Sequence, residues 1–217
     1  MTHDYIKTGS AIYARSFEII REEANLERFP EDVEFVAVRM IHAAADPAIA
    51  DLIAFSPGVA AAGLAALEAG APILCDSSMV ASGIIRSRIP EHTEVVCHIK
   101  DPRLPALAED RGITKTAAAV DLWHEEGLFD GSVVAIGNAP TALFRVLEVM
   151  KETGARPAAI VGIPVGFVGA AESKDALVAD PGGAEYITVL GRRGGSAMAV
   201  AAVNAIASRA ETTNDRR

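Results

Sequence analysis

The spacing of hydrophobic and polar positions along the chain is strand-like in some stretches and helix-like in others. The stretch around which the other predicted elements are arranged lies at residues 158–174. Ile160, Val161 and Ile163 are apolar residues with branched side chains in a short run, which is typical of a strand covered on both faces. Glycines are spaced through the run and the loop that follows it, at Gly162, Gly166 and Gly169. Such glycines let a backbone turn and approach a ligand closely, although they also occur in ordinary turns. We predict a buried strand that leads into a binding loop.

Two further strand-like runs end in the same way. Residues 133–136 open into a loop at residues 137–141, and residues 186–190 open into a glycine-rich loop at residues 191–196. If the three strands are parallel, their carboxyl ends meet at one edge of one sheet, which is where open α/β folds bind their ligands. The pattern therefore predicts three loops along a single ligand-binding edge.

Apolar residues at helical spacing fill most of the remaining chain. Predicted helices span residues 10–24, with Ser10 as the cap, and residues 31–46, 58–69, 114–126, 141–152 and 196–207; further predicted strands span residues 73–75 and 95–99. Five strands that alternate with helices, after two leading helices, predict a doubly wound α/β domain with a five-stranded parallel sheet and helices on both faces. The last helix is almost entirely small or apolar, so it either packs under the sheet or forms part of a subunit interface.

Length, charge and the start of the chain narrow the class of protein. The 217 residues, half of them hydrophobic, predict one domain over residues 1–207 and a polar, disordered tail over residues 208–217. The 20 Lys and Arg residues against 29 Asp and Glu residues give a net charge of −9, which argues against nucleic acid or an anionic membrane as a partner. The start lacks the features of a signal peptide, and no apolar run approaches the roughly 20 residues that span a bilayer. We therefore expect a cytoplasmic protein.

The cysteines, histidines and glycine loops match no cofactor motif. Cys75 and Cys97 lie in separate predicted strands, which indicates buried thiols rather than a disulfide or a zinc site. Four histidines show no metal-ligand spacing, namely His3, His92, His98 and His124. The loops fit neither the Walker pattern nor the dinucleotide-binding pattern, so a nucleotide ligand is disfavoured. We predict no metal and no cofactor.

Candidate chemistry is concentrated on the second predicted helix. One stripe carries Arg39 and His42 one turn apart, and Asp46 one turn beyond them. A lone helical histidine is more often a partly buried, hydrogen-bonded residue than a catalytic group, so the stripe alone does not establish a function. Basic residues beside the predicted strand ends hint at an acidic ligand, although each also suits a solvated surface position: Arg86, Arg88, Lys100 and Arg103.

Five short segments carry a joint pattern, at residues 39–42, 70–76, 135–143, 164–174 and 193–196. Taken together in their order and spacing, they resemble the precorrin-8X methylmutase family of cobalamin biosynthesis, and the resemblance runs from about residue 5 to residue 207. It implies a flavodoxin-like sheet and a homodimer whose active sites are shared between the subunits. It also implies an isomerase reaction on a corrinoid substrate. A methyl group moves between neighbouring carbons of ring C of the macrocycle, which converts precorrin-8X to hydrogenobyrinate, or the cobalt-containing equivalent is used.

The resemblance implies roles for individual residues as well. The acid/base histidine of the family falls on His42, and substrate contacts fall on Ser16 and Arg39. Further substrate contacts are expected from one basic residue and from the loops, namely Arg86, Asn138, Thr141, Gly166 and Phe167. Asp46 matches no family role, so its nearness to His42 is only an inference from helical spacing.

These residue types suit the implied chemistry. A methyl migration around a conjugated ring needs no nucleophile and no redox cofactor, and a histidine that shares a proton with a ring nitrogen can select the reactive tautomer. Glycine loops and Phe167 suit an apolar macrocycle face, and arginines suit its carboxylates. Two alternatives stay open: a corrinoid carrier without turnover and, less favoured, a nucleotide-binding flavodoxin-like module. A mutase differs from a carrier in needing a titratable group at His42, and the sequence does not decide whether the substrate contains cobalt.

Overall fold

The computed structural model describes residues 3–209, which form three layers of helices, sheet and helices. The strands are β1 (Ile53–Phe55), β2 (Ile73–Cys75), β3 (Val95–Val96), β4 (Val133–Ile136), β5 (Ala159–Gly162) and β6 (Glu185–Val189). The helices are α1 (Gly9–Glu23), α2 (Glu31–Ala44), α3 (Val59–Glu68), α4 (Ser78–Gly83), α5 (Leu104–Arg111), α6 (Lys115–Glu125), α7 (Pro140–Thr153), α8 (Ala170–Ala179) and α9 (Ser196–Ala207). Most of the predicted disordered tail, from residue 210 onward, lies outside the described residues.

Within residues 3–209, a sheet of six strands lies at the centre in the order β1-β6-β5-β4-β2-β3. β2 to β6 are parallel to their neighbours, whereas β1 pairs with β6 in the antiparallel sense, with Ile53 opposite Val189. The predicted count of five strands was wrong. β1 has three residues directly after a 3-10 helix at Pro47–Leu52, too few for a period to be recognised. The other five lie in the order second, first, third, fourth, fifth, which is the order of flavodoxin-like sheets.

Alternate residues of the strands face opposite layers. Val133 and Ala135 face the layer of α2, α3 and α9, whereas Val134 and Ile136 face the layer of α6, α7 and α8. All four residues are fully buried. Because both faces of the sheet are covered, its strands appear in the sequence as continuous apolar runs rather than as alternating ones.

The apolar helix α9 belongs to the core of its own chain. It packs against α2, α3, α4 and the sheet, and Ala202 and Val203 are fully buried. Its one polar interior residue, Asn204, accepts a hydrogen bond from the Ile85 amide and donates one to the Gly83 carbonyl. Of the two places predicted for this helix, the structure shows the one under the sheet.

The ends of some elements differ from the predicted ones. α2 ends at Ala44 rather than at residue 46, because Ala45 takes a left-handed conformation with φ of 53° and Asp46 then caps the following 3-10 helix. The predicted strand at residues 95–99 is only β3, since a 3-10 helix at His98–Lys100 follows it. Local turns therefore shortened both predicted elements.

Two helices differ from the prediction. α1 begins one residue before Ser10, so Ser10 lies inside the helix rather than at its cap. α5 was not predicted, because its short run of eight residues mixes apolar and charged positions. No helix within residues 3–209 is long and apolar enough to cross a bilayer.

Candidate active site

The two N-terminal helices bring three of the predicted site residues together. Ser16 lies on α1, and Arg39 and His42 lie one turn apart on α2. The Ser16 hydroxyl and His42 Nδ1 are 2.9 Å apart and share a hydrogen bond, although 26 residues separate them in the chain. The packing of α1 on α2 therefore fixes the orientation of the imidazole.

Two aromatic rings of α1 complete the surroundings of His42. The ring centre of His42 lies 5.4 Å from that of Tyr13 and 5.3 Å from that of Phe17. The guanidinium of Arg39 lies 5.8 Å and 5.2 Å from the same two ring centres. Sequence reasoning did not assign Tyr13 or Phe17 to the site. The available signal was helical spacing on α1: Tyr13 lies three residues before Ser16 and four before Phe17, so it neighbours both on the helix surface.

The surroundings lower the pKa of His42. The larger cause is burial, which disfavours the charged imidazolium, and the smaller one is the positive charge of Arg39. His42 is therefore a neutral imidazole at neutral pH. Because Nδ1 already bonds Ser16, Nε2 is the nitrogen through which a proton would pass to or from a ligand.

A cavity of about 340 Å³ opens beside His42. Ser16 and Ile20 of α1 line it together with His42 and Asp46. Asp46 reaches this cavity through the turn after α2 and not through the helical spacing that the sequence suggested. Its carboxylate accepts a hydrogen bond from the Ala48 amide at 3.0 Å, which caps the 3-10 helix.

The loops after β5 and β6 are tied to each other at the carboxyl edge of the sheet. The Gly195 amide donates to the Ile163 carbonyl at 2.9 Å. Lys174, which is fully buried, donates to the carbonyls of Pro164 at 3.1 Å and Arg193 at 2.7 Å. Burial lowers the pKa of this ammonium group to about 8. The two predicted glycine loops therefore form one connected unit, which we call the paired loops.

The paired loops present apolar side chains to solvent. Phe167 is 84% exposed and Val168 is 89% exposed, and Val165 beside them is also exposed. The guanidinium of Arg192 lies 5.3 Å from the centre of the Phe167 ring. Gly166, with φ of 147°, has a backbone conformation that other residues rarely adopt. Exposed apolar surface of this kind is typical of a place where a ligand or a partner binds.

The loop after β4 is held by Asp76, which follows β2. This buried carboxylate accepts hydrogen bonds from the amides of Gly137, Asn138 and Ala139 at 2.7 to 3.0 Å. Burial raises the pKa of Asp76, and the three amide donors act in the opposite direction. Asn138 remains exposed at the carboxyl edge, next to the paired loops.

Thr141 and Gly162 have contacts that the sequence did not predict. The Thr141 hydroxyl lies 2.8 Å from that of Thr114 and 3.1 Å from that of Thr116, at the start of α6 and α7. Gly162 belongs to β5 rather than to a loop, and a Cβ atom there would come within 2.8 Å of the Leu177 side chain. Gly162 is therefore a packing residue of the strand.

Arg86 lies at the opposite edge of the sheet from these loops. It belongs to the segment between α4 and β3, before the strand begins, and its Nη1 donates to the Thr93 carbonyl at 2.9 Å. Among the other predicted basic residues, Arg88 is buried and Arg103 forms ion pairs with acidic neighbours. Within one chain, these residues therefore do not gather around His42.

The groups available for chemistry at the candidate site are side chains of the described residues. Within residues 3–209, no group of three or more His, Cys, Asp or Glu side chains is arranged to hold a metal ion. Cys75 is buried in β2, and Cys97 is partly buried just after β3. A neutral imidazole, a serine hydroxyl and a guanidinium lie side by side next to the carboxyl edge of a doubly wound sheet, where α/β enzymes bind their ligands. The class of protein that this fold and site indicate is an α/β enzyme with a group able to exchange protons.

Comparison with known proteins identifies the family. The family model of precorrin-8X methylmutase matches residues 11–209. A precorrin-8X methylmutase of Pseudomonas aeruginosa is 55% identical over 208 residues, which cover 96% of this chain and 99% of the relative. A cobalt-precorrin-8 methylmutase of Leptospira interrogans is 35% identical over 203 residues, which cover 91% and 92%. The crystal structure of a precorrin-8X methyl mutase from Thermus thermophilus has a TM-score of 0.82 at 42% identity, covering 92% of this chain and 95% of that one.

The chain belongs to the precorrin-8X methylmutase family, whose members shift a methyl group in cobalamin biosynthesis. The resemblance seen in the sequence is thereby confirmed, and an isomerase is favoured over a carrier.

Proposed function

We propose that this protein moves a methyl group between neighbouring carbons of ring C of precorrin-8X and so produces hydrogenobyrinate. The observation that carries the proposal is a neutral His42, held by Ser16, in a chain of this family. The methyl group leaves one ring carbon and bonds to its neighbour in the same molecule, so substrate and product have the same composition. The protein has to bind the macrocycle and favour its reactive tautomer.

The proposed roles follow from the geometry. His42 exchanges a proton with a nitrogen of the macrocycle through Nε2, while Ser16 keeps the imidazole in place through Nδ1. A neutral imidazole can accept or share this proton at neutral pH, and the lowered pKa keeps His42 in that neutral form. Arg39, permanently charged, anchors a carboxylate of the substrate. It lies one turn from His42 and contacts the same aromatic rings.

We propose a cobalt-free substrate. In support, the relative at 55% identity is named for precorrin-8X, whereas the relative at 35% identity is named for the cobalt-containing compound. Turnover of purified precorrin-8X, compared with its cobalt complex in a parallel assay, distinguishes the two.

We expect the loop residues and Arg86 to contact the substrate in a dimer whose active sites are shared between the subunits. Phe167 and Gly166 belong to the exposed apolar surface, and Asn138 and Thr141 lie at the same edge of the sheet. Arg86 lies at the other edge of its own chain, so a contact between Arg86 and the substrate requires a second subunit. The role of Arg86 stays a prediction, as do the roles of the loop residues. The cytoplasmic location of the protein is also a prediction.

Replacement of His42 by alanine tests the proposal. Turnover of precorrin-8X should fall by about 10²- to 10⁴-fold, the effect typical of a positioned acid/base group. Affinity for hydrogenobyrinate should change by only about 1–3 kcal/mol, because most contacts with the macrocycle do not involve the imidazole. Absorbance follows both the methyl migration and the binding titration.

His124→Ala is a matched control, since His124 lies near the end of α6, in the helix layer on the other side of the sheet from α2. It should leave both quantities unchanged. An alanine variant of His42 that converts precorrin-8X at the parent rate would refute the acid/base role. Parallel loss of turnover and binding would make His42 an anchoring residue, and a parent protein that binds hydrogenobyrinate without any turnover would be a carrier.

A further inference from the structure

A second cavity adjoins the one beside His42, toward the paired loops. Its volume is about 420 Å³, and Ala44, Val165 and Met198 are among its apolar lining residues. Arg193 and Asp46 line it too, and Asp46 also lines the first cavity. Arg193 donates to the carboxylate of Asp46, and this ion pair is the polar part of an otherwise apolar wall.

The ion pair is weak because water reaches both of its members. The side chain of Arg193 is 53% exposed and that of Asp46 is 35% exposed. Exposed pairs of this kind change an equilibrium by no more than about fivefold. A ligand carboxylate that is held by further contacts with the protein can therefore displace Asp46 from the guanidinium.

The backbone of Arg193, in contrast, is held firmly. Lys174 donates to its carbonyl at 2.7 Å. The next residue, Gly194, lies so close to Pro164 that a Cβ atom would come within 2.2 Å of the Pro164 carbonyl oxygen. Asp46 keeps its own place without Arg193, because its other carboxylate oxygen caps the 3-10 helix. A fixed backbone that carries an exchangeable guanidinium suits a preorganised carboxylate-binding residue.

We propose that Arg193 binds a carboxylate on the rim of the macrocycle, and that Asp46 occupies the guanidinium until the ligand arrives. This inference rests on the proposed function and extends it, since Arg39 and Arg193 then hold two different carboxylates. It makes Arg193 a specificity-determining residue: the site prefers a free acid at this position of the ligand to an amide, which cannot form a charge-assisted pair.

The test measures the affinity for hydrogenobyrinate by absorbance titration. In Arg193→Gln, loss of the charge-assisted contact should weaken binding by about 10- to 100-fold. Arg193→Lys, which keeps the charge but not the planar fork, should recover part of that loss. In Asp46→Asn, the side chain still caps the 3-10 helix but competes less for the guanidinium. Binding should then become tighter, by up to about fivefold.

The opposite signs of these two effects separate ligand binding from a structural role. A purely structural ion pair would make both Arg193→Gln and Asp46→Asn weaken binding and lower the melting temperature together. Equal affinity of the parent and Arg193→Gln would likewise overturn the inference. Arg156→Gln, which removes an exposed arginine just before β5 at the other edge of the sheet, is the control and should change nothing.

A second ligand makes the test independent of variant stability. The parent should bind hydrogenobyrinate more tightly than a peripherally amidated derivative, and Arg193→Gln should lose part of this preference. Retention of the full preference in the variant would contradict the inference while leaving the proposed function intact. A parent protein that binds neither corrinoid would overturn the proposed function, and this inference with it.

Discussion

At the scale of single residues, the same contacts that place His42 also set its acidity. Ser16 holds one ring nitrogen, and Tyr13 and Phe17 pack beside the ring. That packing removes water from the imidazole, and Arg39 adds a positive charge nearby. Both effects favour the neutral form, so His42 can act as a proton acceptor without a separate base to deprotonate it.

Replacement of Arg39 by glutamine should raise the pKa of His42, because it removes the second of the two causes that lower it. Burial, the larger cause, remains, so the pKa should stay below the ordinary value of 6.5. Proton NMR of the His42 ring during a pH titration of the free protein measures the change. Affinity for hydrogenobyrinate should fall in the same variant, since it removes the guanidinium that we propose anchors a carboxylate.

The same shift has a consequence for stability. With its pKa lowered by folding, His42 binds a proton less readily in the folded chain than in the unfolded chain. Its contribution to the free energy of unfolding is therefore present above pH 6.5 and is lost as the pH falls through the lowered pKa. That loss should be smaller in Arg39→Gln. Arg15→Gln, an exposed change on α1, is the control; an unchanged or lower His42 pKa in Arg39→Gln would contradict the prediction.

At the scale of elements, the site depends on loops joined by buried polar groups. Lys174 of α8 connects the loops after β5 and β6, and Asp76 connects the end of β2 to the loop after β4. Each group forms hydrogen bonds with backbone atoms of segments that lie far apart in the chain. Removal of such a group leaves those atoms buried without a partner, which costs more than the bond itself contributes.

Lys174→Met should lower the free energy of unfolding by about 2–4 kcal/mol, because the buried carbonyl of Pro164 and the partly buried carbonyl of Arg193 lose their donor. The cost should be larger at pH 9.5 than at pH 7.5, by about 2 kcal/mol. The reason is the pKa of about 8: above it the folded chain carries a neutral amine, while the unfolded chain still binds the proton, so the parent gains stability as the pH rises toward 10.5. Urea unfolding at both pH values measures the difference.

Lys151→Met is the matched control for this change, since Lys151 is exposed on α7. Its free energy of unfolding should remain within about 0.5 kcal/mol of the parent value at both pH values. A Lys174→Met protein as stable as the parent would show that the paired loops are held by other contacts.

At the scale of the whole molecule, exposed apolar side chains gather at one edge. Phe167, Val168 and Met79 are each more than 70% exposed, and all three lie at the carboxyl edge of the sheet. The apolar helix α9, which the sequence offered as a subunit interface, is instead buried in its own chain. The surface that remains for a second subunit therefore includes the loops of the candidate site, which fits a dimer with shared active sites.

We predict a homodimer at micromolar concentration, and Val168→Asp should weaken it. Loss of a buried valine and burial of a charge at two equivalent places raise the dissociation constant at least about tenfold. Sedimentation velocity over a concentration series measures this change. Ala179→Asp, on an exposed position of α8, adds the same charge elsewhere and should leave the dimer intact. A parent protein that sediments as a monomer would contradict the prediction.

Local patterns were sufficient for most of the elements and for the gathering of three loops at the carboxyl edge of the sheet. Continuous apolar runs correspond to β2, β4, β5 and β6, because a sheet covered on both faces requires them. Helical periodicity and flanking Pro or Gly gave α7 to within a residue or two, with Gly154 in the left-handed conformation at its end. The short elements β1 and α5 were missed, since three or eight residues hold too little of a period.

The placement of the site residues depended on long-range packing. His42 and Arg39 share one helix, so their proximity follows from local spacing alone. The bond between Ser16 and His42 exists only because α1 packs on α2, and the pairing of Asp46 with Arg193 spans 147 residues. Burial lowers the pKa of His42 and of Lys174, and burial is a property of neighbours that a linear pattern does not contain. Local spacing in the sequence therefore placed Arg39 beside His42, and the family resemblance suggested their roles, whereas the tertiary structure decided what surrounds them.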